Sequence, residues 1–208
     1  MEFTFYISAF VTLFVVIDPI GLAPLFVAIT QGMAGHERRA IALRASGVAI
    51  GLLTLFGLFG ESVLGFAGIS MAAFRIAGGM LLFLTAMEML FERRAKRRED
   101  QAEEEDHHDD PSVFPLATPL MAGPGAMASM ILLTGEVRGT LSGMAGVLGV
   151  MVAVIGVVLL LFLAAGLLER ALGRTGINVV TRLLGMLLAA LSVQFVLDGL
   201  RDFGLAPM

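Results

Sequence analysis

Residues 3–30 read FTFYISAFVTLFVVIDPIGLAPLFVAIT, a long apolar run that is interrupted at Asp18-Pro19. A helix that crosses a bilayer needs about 20 mostly apolar residues, because its backbone can satisfy its hydrogen bonds only within itself. Proline inside a helix removes a donor and clashes with the preceding turn, so the Asp-Pro pair predicts a break within the span. No basic region precedes the run and no small-residue cleavage site follows it, which favours a retained span over a signal peptide.

The composition indicates that membrane spans make up most of the chain. Of the 208 residues, 57% are hydrophobic and 15% are charged, whereas soluble domains have about 25% charged residues. We therefore predict one membrane-embedded domain with no separate soluble domain. Cysteine is absent, which excludes disulfides, iron–sulfur clusters and thiol chemistry.

Six segments are long and apolar enough to span, which predicts an all-α polytopic fold. They are residues 3–30, 41–66, 71–91, 113–134, 141–168 and 179–200. The fourth contains three prolines and is the weakest of the six. Basic residues favour the cytoplasmic side of a membrane, and here they follow the first, third and fifth spans. This bias predicts a bacterial inner-membrane protein with both termini in the periplasm.

A charged linker, residues 92–112, joins the third and fourth spans. Its basic block RRAKRR (93–98) precedes an acidic block, and with few apolar residues the linker is expected to be mobile and solvated. The basic block fits either a topological signal or a contact with anionic lipid. His107 and His108 beside Asp109 could bind a metal, but the lack of further ligands at a fixed spacing favours a solvated tract.

The two halves of the chain share a pattern. Residues 61–69 and 169–177 both read E-x-x-L-G-x-x-G-I, and each copy is followed by an arginine, Arg75 or Arg182. Asp18-Pro19 with Pro24 is matched by Thr118-Pro119 with Pro124. Three spans per half place the second copy in the opposite orientation. We therefore predict an inverted repeat: residues 1–91, the linker 92–112 and residues 113–208, with a broken first helix in each half.

The matched helix breaks are the candidate functional site. A broken helix exposes amides at one half-helix start and carbonyls at the other half's end, and secondary transporters with inverted repeats bind substrates at such breaks. We predict that residues 19–24 and 119–124 are both non-helical and meet near the centre; a plain proline kink is the alternative. The candidate substrate-binding residues are Asp18, Pro19, Gly21, Pro24, Thr118, Pro119, Gly123, Pro124, Gly125 and Ala126.

Asp18 is the acid placed deepest in a predicted span. Ionisable residues inside spans usually mark a substrate pathway or a proton relay. Asp18 could instead cap the half-helix that begins at Pro19, and the two roles do not exclude each other.

Two further features have structural interpretations. Glu61 with Arg75, and Glu169 with Arg182, are predicted to form one ion pair in each half. Small residues along the fifth span and its approach suit close helix packing, within the bundle or between protomers of a homo-oligomer. They are Gly139, Gly143, Gly146, Gly149, Ala153 and Gly156.

The chain resembles the MarC family, also described as six-span neutral amino-acid transporters. The resemblance rests on IDPIGLAPLF (17–26), GIS (68–70) leading into FRIAGG (74–79), PLATPLMAGPG (115–125), and RLLG (182–185) with Gln194-Phe195. It implies proton-linked movement of small neutral amino acids such as glycine, alanine, serine or threonine. We expect no cofactor, no metal and no nucleic-acid partner.

Two other classes compete with transport. An intramembrane Ser–His enzyme is excluded because His36, His107 and His108 all lie in loops, and a two-aspartate protease lacks a Gly-Asp motif at Asp198. A non-transporting scaffold or a passive channel is compatible with the sequence.

Overall fold

The computed structural model describes residues 3–94, 96–98 and 110–205, with the backbone alone for 167–170 and 174. The segment containing His107, His108 and Asp109 lies outside the described residues. The helices are α1 (Phe3–Ile17), α2 (Pro19–Ile29), α3 (Gly35–Phe66), α4 (Met71–Leu90), α5 (Ser112–Met121), α6 (Pro124–Glu136), α7 (Leu141–Leu163) and α8 (Ala165–Asp202).

These helices confirm the predicted polytopic all-α fold. Five helical segments are long and apolar enough to cross a membrane, and the bent pair α5–α6 gives a sixth. The last two predicted spans need correction at the turn between them. The fifth ends at Leu163 instead of 168, and α8 begins at Ala165. Within α8, Gly173 has a φ of 61°, and the membrane-spanning part is Thr175–Asp202.

The first helix is broken at a single residue. Asp18 has left-handed backbone angles (φ 57°, ψ 66°), which aspartate tolerates better than most side chains. α2 then starts at Pro19, where the missing proline N–H would have had no helical partner. The prediction that residues 19–24 are non-helical is therefore wrong, because proline suits the first position of a helix and Pro24 is accommodated inside α2.

The second break is spread over ten residues and follows from its prolines. A residue before proline is pushed towards extended angles, and Phe114 and Thr118, which precede Pro115 and Pro119, have φ values of −124° and −129°. Along this segment the chain forms wide turns, in which an amide donates to the carbonyl five residues earlier. One such bond runs from the Ala122 amide to the Ala117 carbonyl (2.8 Å). α5 and α6 meet at 57°.

The two halves interlock along α4 and α8, which run antiparallel. A β-carbon on Gly79 would lie 2.8 Å from the Ser192 carbonyl oxygen, and one on Gly185 would lie 2.9 Å from Cβ of Met89. Glycine at these positions allows close backbone approach, as in membrane helix pairs. Gly199 meets Ile76 further along, so the start of α4 lies beside the end of α8.

The helix contacts of one half are matched by the equivalent contacts of the other half. α3 packs on α6 as α7 packs on α2, and α4 packs on α6 as α8 packs on α2. An inverted repeat requires its equivalent helices, here α4 and α8, to be antiparallel, as they are. The repeat itself and the domain limits stay predictions.

The ion pairs cross between the halves, which contradicts one predicted pair. Arg75 binds Asp202 (2.7 Å) and Glu136 (3.5 Å), while Glu61 binds Arg138. The pairing of Glu61 with Arg75 is wrong because α3 packs on α5, α6 and α7, whereas α4 packs on α6 and α8. Arg182 binds Glu92 at 2.8 Å. The side chain of Glu169 lies outside the described residues.

The bundle has a packed apolar centre and an apolar exterior. Phe26 and Phe162 stack at 4.4 Å between α2 and α7, in a core that joins α1–α4 to α5–α8. Large apolar side chains also face outwards, among them Phe66 at 97% and Leu84 at 63% exposure. An exposed apolar surface of this kind suits contact with lipid.

Candidate functional site

Asp18 is buried at the end of α1, with 1% of its surface exposed. Its Oδ1 accepts a hydrogen bond from the Gly21 amide (3.1 Å), which caps α2. A β-carbon on Gly21 would lie 2.2 Å from Oδ2 of Asp18, so only glycine leaves room for the carboxylate there. The capping role is therefore present in the structure. The second carboxylate oxygen faces a different partner.

That partner is Arg98, from the charged linker. Its Nη1 donates to Oδ2 of Asp18 (3.0 Å) and its Nη2 donates to the Ile17 carbonyl (3.1 Å). Arg94, one turn earlier, donates to the Val16 carbonyl. Both guanidiniums thus meet carbonyls at the negative end of α1, where cations are favoured.

The arginine-rich part of the linker is therefore held against the bundle. Residues 93–94 and 96–98 are helical, and only 7% of the Arg98 side chain is exposed. The expectation of a wholly solvated linker is wrong for Arg94 and Arg98, because the buried Asp18 carboxylate requires a counter-ion. Burial lowers the pKa of both guanidiniums. For Arg94, the positive charge of the neighbouring Arg98 lowers the pKa further, to about 9 in all. Arginine nevertheless stays protonated at neutral pH.

The start of α6 lies beside the end of α1. A β-carbon on Gly125 would lie 3.3 Å from Cγ1 of Val16 and 3.8 Å from the Thr85 hydroxyl. Gly123 precedes α6 in extended conformation without a side-chain cap, and Pro124 is the first helical residue. The amides of Gly125 and Ala126 therefore have no partner within the helix and form the positive end of its dipole.

Two cavities adjoin these helix breaks. The inner cavity, of about 80 Å³, is bounded by the start of α6, Thr85 and Glu88. The larger vestibule, of about 720 Å³, is bounded by Asp18, the first turns of α2, and Asn178 and Thr181 of α8. Arg94 and Arg98 line both. Their side chains are therefore common to the walls of both spaces.

The predicted site residues divide between these cavities. The vestibule is lined by Asp18, Gly21 and Pro24. The inner cavity is lined by Pro119, Gly123, Pro124, Gly125 and Ala126. Pro19 is buried at the start of α2, and the extended Thr118 lies on the approach to α6; neither is among the lining residues of the two cavities. The structure places the end of α1 beside the start of α6, and a common site formed by residues 19–24 and 119–124 stays a prediction.

Sequence reasoning missed the arginines. Arg94 and Arg98 are four residues apart, which places them on one face of a helical turn. A carboxylate buried in a span requires a cation, and the RRAKRR block was the largest nearby supply. Those two signals together could have identified the pair. Arg97, by contrast, is exposed and binds Glu88 at 2.7 Å.

The far end of α4 holds a second cluster of charges. Arg75, with 13% of its side chain exposed, ties α4 to α6 and α8 through Glu136 and Asp202. Glu61 and Arg138 join α3 to the α6–α7 turn beside it. Residues of the linker line both cavities, whereas these ion pairs join the helices at the opposite end.

Comparison with known proteins places this architecture in a family. A family model described as "MarC family integral membrane protein" matches residues 3–203. The UPF0056 membrane protein YvbG of Bacillus subtilis is 34% identical, covering 100% of this chain and 99% of that protein. The UPF0056 membrane protein YhcE of Escherichia coli is 35% identical over 96% and 94%. A UPF0056 membrane protein of Archaeoglobus fulgidus is 36% identical over 96% and 93%. No solved structure matches.

Proposed function

The chain belongs to the MarC family of integral membrane proteins, and we propose that it is a secondary transporter of small neutral amino acids, of the glycine, alanine, serine and threonine class. Transport is by alternating access at the site between the two helix breaks and is coupled to protons. No chemical step on the substrate is part of this function. The observation that supports it most is the pair of cavities that meet at Arg94 and Arg98.

The chemistry of the site suits a zwitterion. The uncapped start of α6 offers the amides of Gly125 and Ala126, which favour a carboxylate. Asp18 is a buried carboxylate that already accepts hydrogen bonds from a cationic nitrogen, and an ammonium group has the same donors. The inner cavity is small, about 80 Å³ against about 720 Å³ for the vestibule, which favours a small substrate.

The two charged clusters suit alternating access. The vestibule is lined by residues of the linker, and the opposite end is held by Arg75 with Glu136 and Asp202. A transporter open to one face requires the other face to be closed, and the clusters would exchange these roles in the second state. The interlocked α4–α8 pair is the surface along which the halves would rock.

The test is counterflow in proteoliposomes. Purified protein loaded with unlabelled L-alanine is expected to accumulate labelled L-alanine transiently and saturably, and glycine, serine and threonine are expected to compete. A channel or scaffold gives no such overshoot. Saturable alanine exchange that ignores an imposed pH gradient would retain the transporter and remove the proton coupling.

Orientation needs its own test. The basic residues after the first, third and fifth spans support a cytoplasmic linker and periplasmic termini. Reporter fusions after Met208 are expected to be active in the periplasm, and fusions within residues 99–110 in the cytoplasm. A cytoplasmic C-terminus would contradict the inverted repeat.

A further inference from the structure

Asp18, the carboxylate proposed to hold the substrate's ammonium, is already occupied. The Gly21 amide uses one oxygen and Arg98 uses the other, at 3.1 and 3.0 Å. Both members of the ion pair are buried, with side-chain exposures of 1% and 7%. An ammonium group cannot reach Oδ2 of Asp18 until the Arg98 guanidinium leaves it.

Arg98 is attached in a way that allows it to leave. It follows α4 on a short segment outside the spans, and Lys96 and Arg97 of the same segment are exposed to solvent. Its contacts at the site are made by the tip of a long side chain, to Asp18 and to the Ile17 carbonyl. Removal from Asp18 would leave a buried charge unpaired unless another cation takes its place.

The position of Arg98 also affects access. With Arg94 it lines both cavities, so the two guanidiniums border the vestibule and also the cavity at the uncapped start of α6. We propose that Arg98 is a tethered counter-ion that holds Asp18 while the site is empty and is displaced by the ammonium group of the substrate. This inference rests on the proposed function and adds a requirement: the cargo carries a cationic nitrogen.

Thiol labelling tests this role of Arg98 without measuring transport. The chain contains no cysteine, so Ala126→Cys introduces a single thiol at a residue that is 3% exposed and lines the inner cavity. The probe is a charged methanethiosulfonate added to protein in lipid nanodiscs. Arg98→Ala is expected to raise the labelling rate about tenfold or more, because it removes a guanidinium that borders the same cavity as residue 126. In the parent protein, two charge-assisted hydrogen bonds hold that guanidinium in place. Arg98→Lys is expected to give an intermediate rate.

The matched control is Lys96→Ala, which removes the same charge from an exposed position in the same segment. It is expected to label at the parent rate. Because Arg98→Ala leaves Asp18 unpaired and could destabilise the bundle, the double variant Arg98→Ala/Asp18→Asn is measured as well. It buries no unpaired charge and is expected to label as fast as Arg98→Ala.

The outcomes separate this inference from the transport proposal. Labelling at the parent rate in Arg98→Ala and in the double variant overturns the role of Arg98, even if counterflow of L-alanine is present. Equal acceleration by Lys96→Ala overturns it as well. Fast labelling only in the Arg98 variants supports that role. If the parent protein then shows no alanine counterflow, the transport proposal fails while Arg98 still restricts access to residue 126.

Discussion

The two half-helices α2 and α6 start alike and are completed differently. Each has a proline at its first position, Pro19 or Pro124. The start of α2 is capped by Asp18, which is itself bound to Arg98. The start of α6 follows Gly123 without a side-chain cap and borders the inner cavity.

Because of this difference, the two ends of the candidate site are chemically unlike. One break presents a buried acid and the other presents amides that have no partner within their helix. Under the proposed function, a molecule with one positive and one negative end would therefore bind in a single orientation. The first break is one residue long because aspartate alone provides both the left-handed turn and the cap. The second covers the ten residues Ser112–Met121 and is followed by Gly123, which gives the next helix no side-chain cap.

Replacement of Asp18 is expected to have the largest effect on the difference between the two helix breaks. In Asp18→Asn, the buried Arg98 loses its counter-ion, and the free energy of unfolding is expected to fall by about 3–5 kcal/mol. Binding of L-alanine is expected to weaken at least tenfold, because an amide offers no charge to an ammonium. Thermal unfolding in detergent and alanine exchange measure the two effects.

Two other results for Asp18→Asn are informative. Exchange at the parent rate without pH-driven accumulation would assign the coupled proton to Asp18. Parent-like behaviour in stability, exchange and accumulation would leave Asp18 as a helix cap only and contradict its place in the site.

Filling the uncapped break would test the other side of the comparison. Gly125→Val places methyl groups towards Val16 and Thr85, in the inner cavity. We expect alanine counterflow to be abolished, with a loss of about 1–3 kcal/mol in unfolding free energy from overpacking. Gly149→Val is the control, because a β-carbon on Gly149 meets no atom within 4 Å. Unchanged counterflow in Gly125→Val would place the substrate elsewhere.

A smaller change acts on the cap without removing the acid. In Gly21→Ala, the new β-carbon would occupy the position of Oδ2 of Asp18, so the carboxylate must turn away from the Gly21 amide or from Arg98. Loss of a helix cap costs about 1 kcal/mol, and alanine affinity is expected to fall with it. Gly47→Ala, in open space on α3, is expected to match the parent. A fully active Gly21→Ala would show that the precise position of Asp18 is unimportant.

The least effect is expected far from both breaks. Glu61 and Arg138 have side-chain exposures of 29% and 69%, and exposed ion pairs contribute about 0–1 kcal/mol. Glu61→Gln should therefore leave thermal unfolding and alanine exchange close to the parent values. A large loss of exchange would indicate that this pair helps to close its end of the bundle.

The sequence predicted the spans because a bilayer imposes a simple length and polarity requirement. Six spans and the break at Asp18-Pro19 follow from that requirement and from proline geometry. The helical state of residues 19–24 did not follow, because proline both ends one helix and begins another, and only the Asp18 cap decides between these effects.

The site could be predicted in part for a related reason. The glycines and prolines at 119–125 indicate exposed backbone wherever they pack, so the inner cavity was foreseeable. Arg94 and Arg98 belong to a block whose composition equally fits a topological signal. Their place at Asp18 depends on tertiary packing, and so do the partners of Glu61 and Arg75, which are chosen by helix neighbours that are distant in sequence.

The buried Asp18–Arg98 pair also sets an electrical condition for the proposed transport cycle. With Arg98 in place, the two opposite charges at the site cancel. A zwitterion that displaces Arg98 adds no net charge, so the loaded site is more negative by one elementary charge. Moving such a site across the membrane potential changes its energy by about 2.3 kcal/mol per 100 mV. A cation that enters with the amino acid removes this dependence on voltage, which gives a proton a physical reason to accompany the substrate.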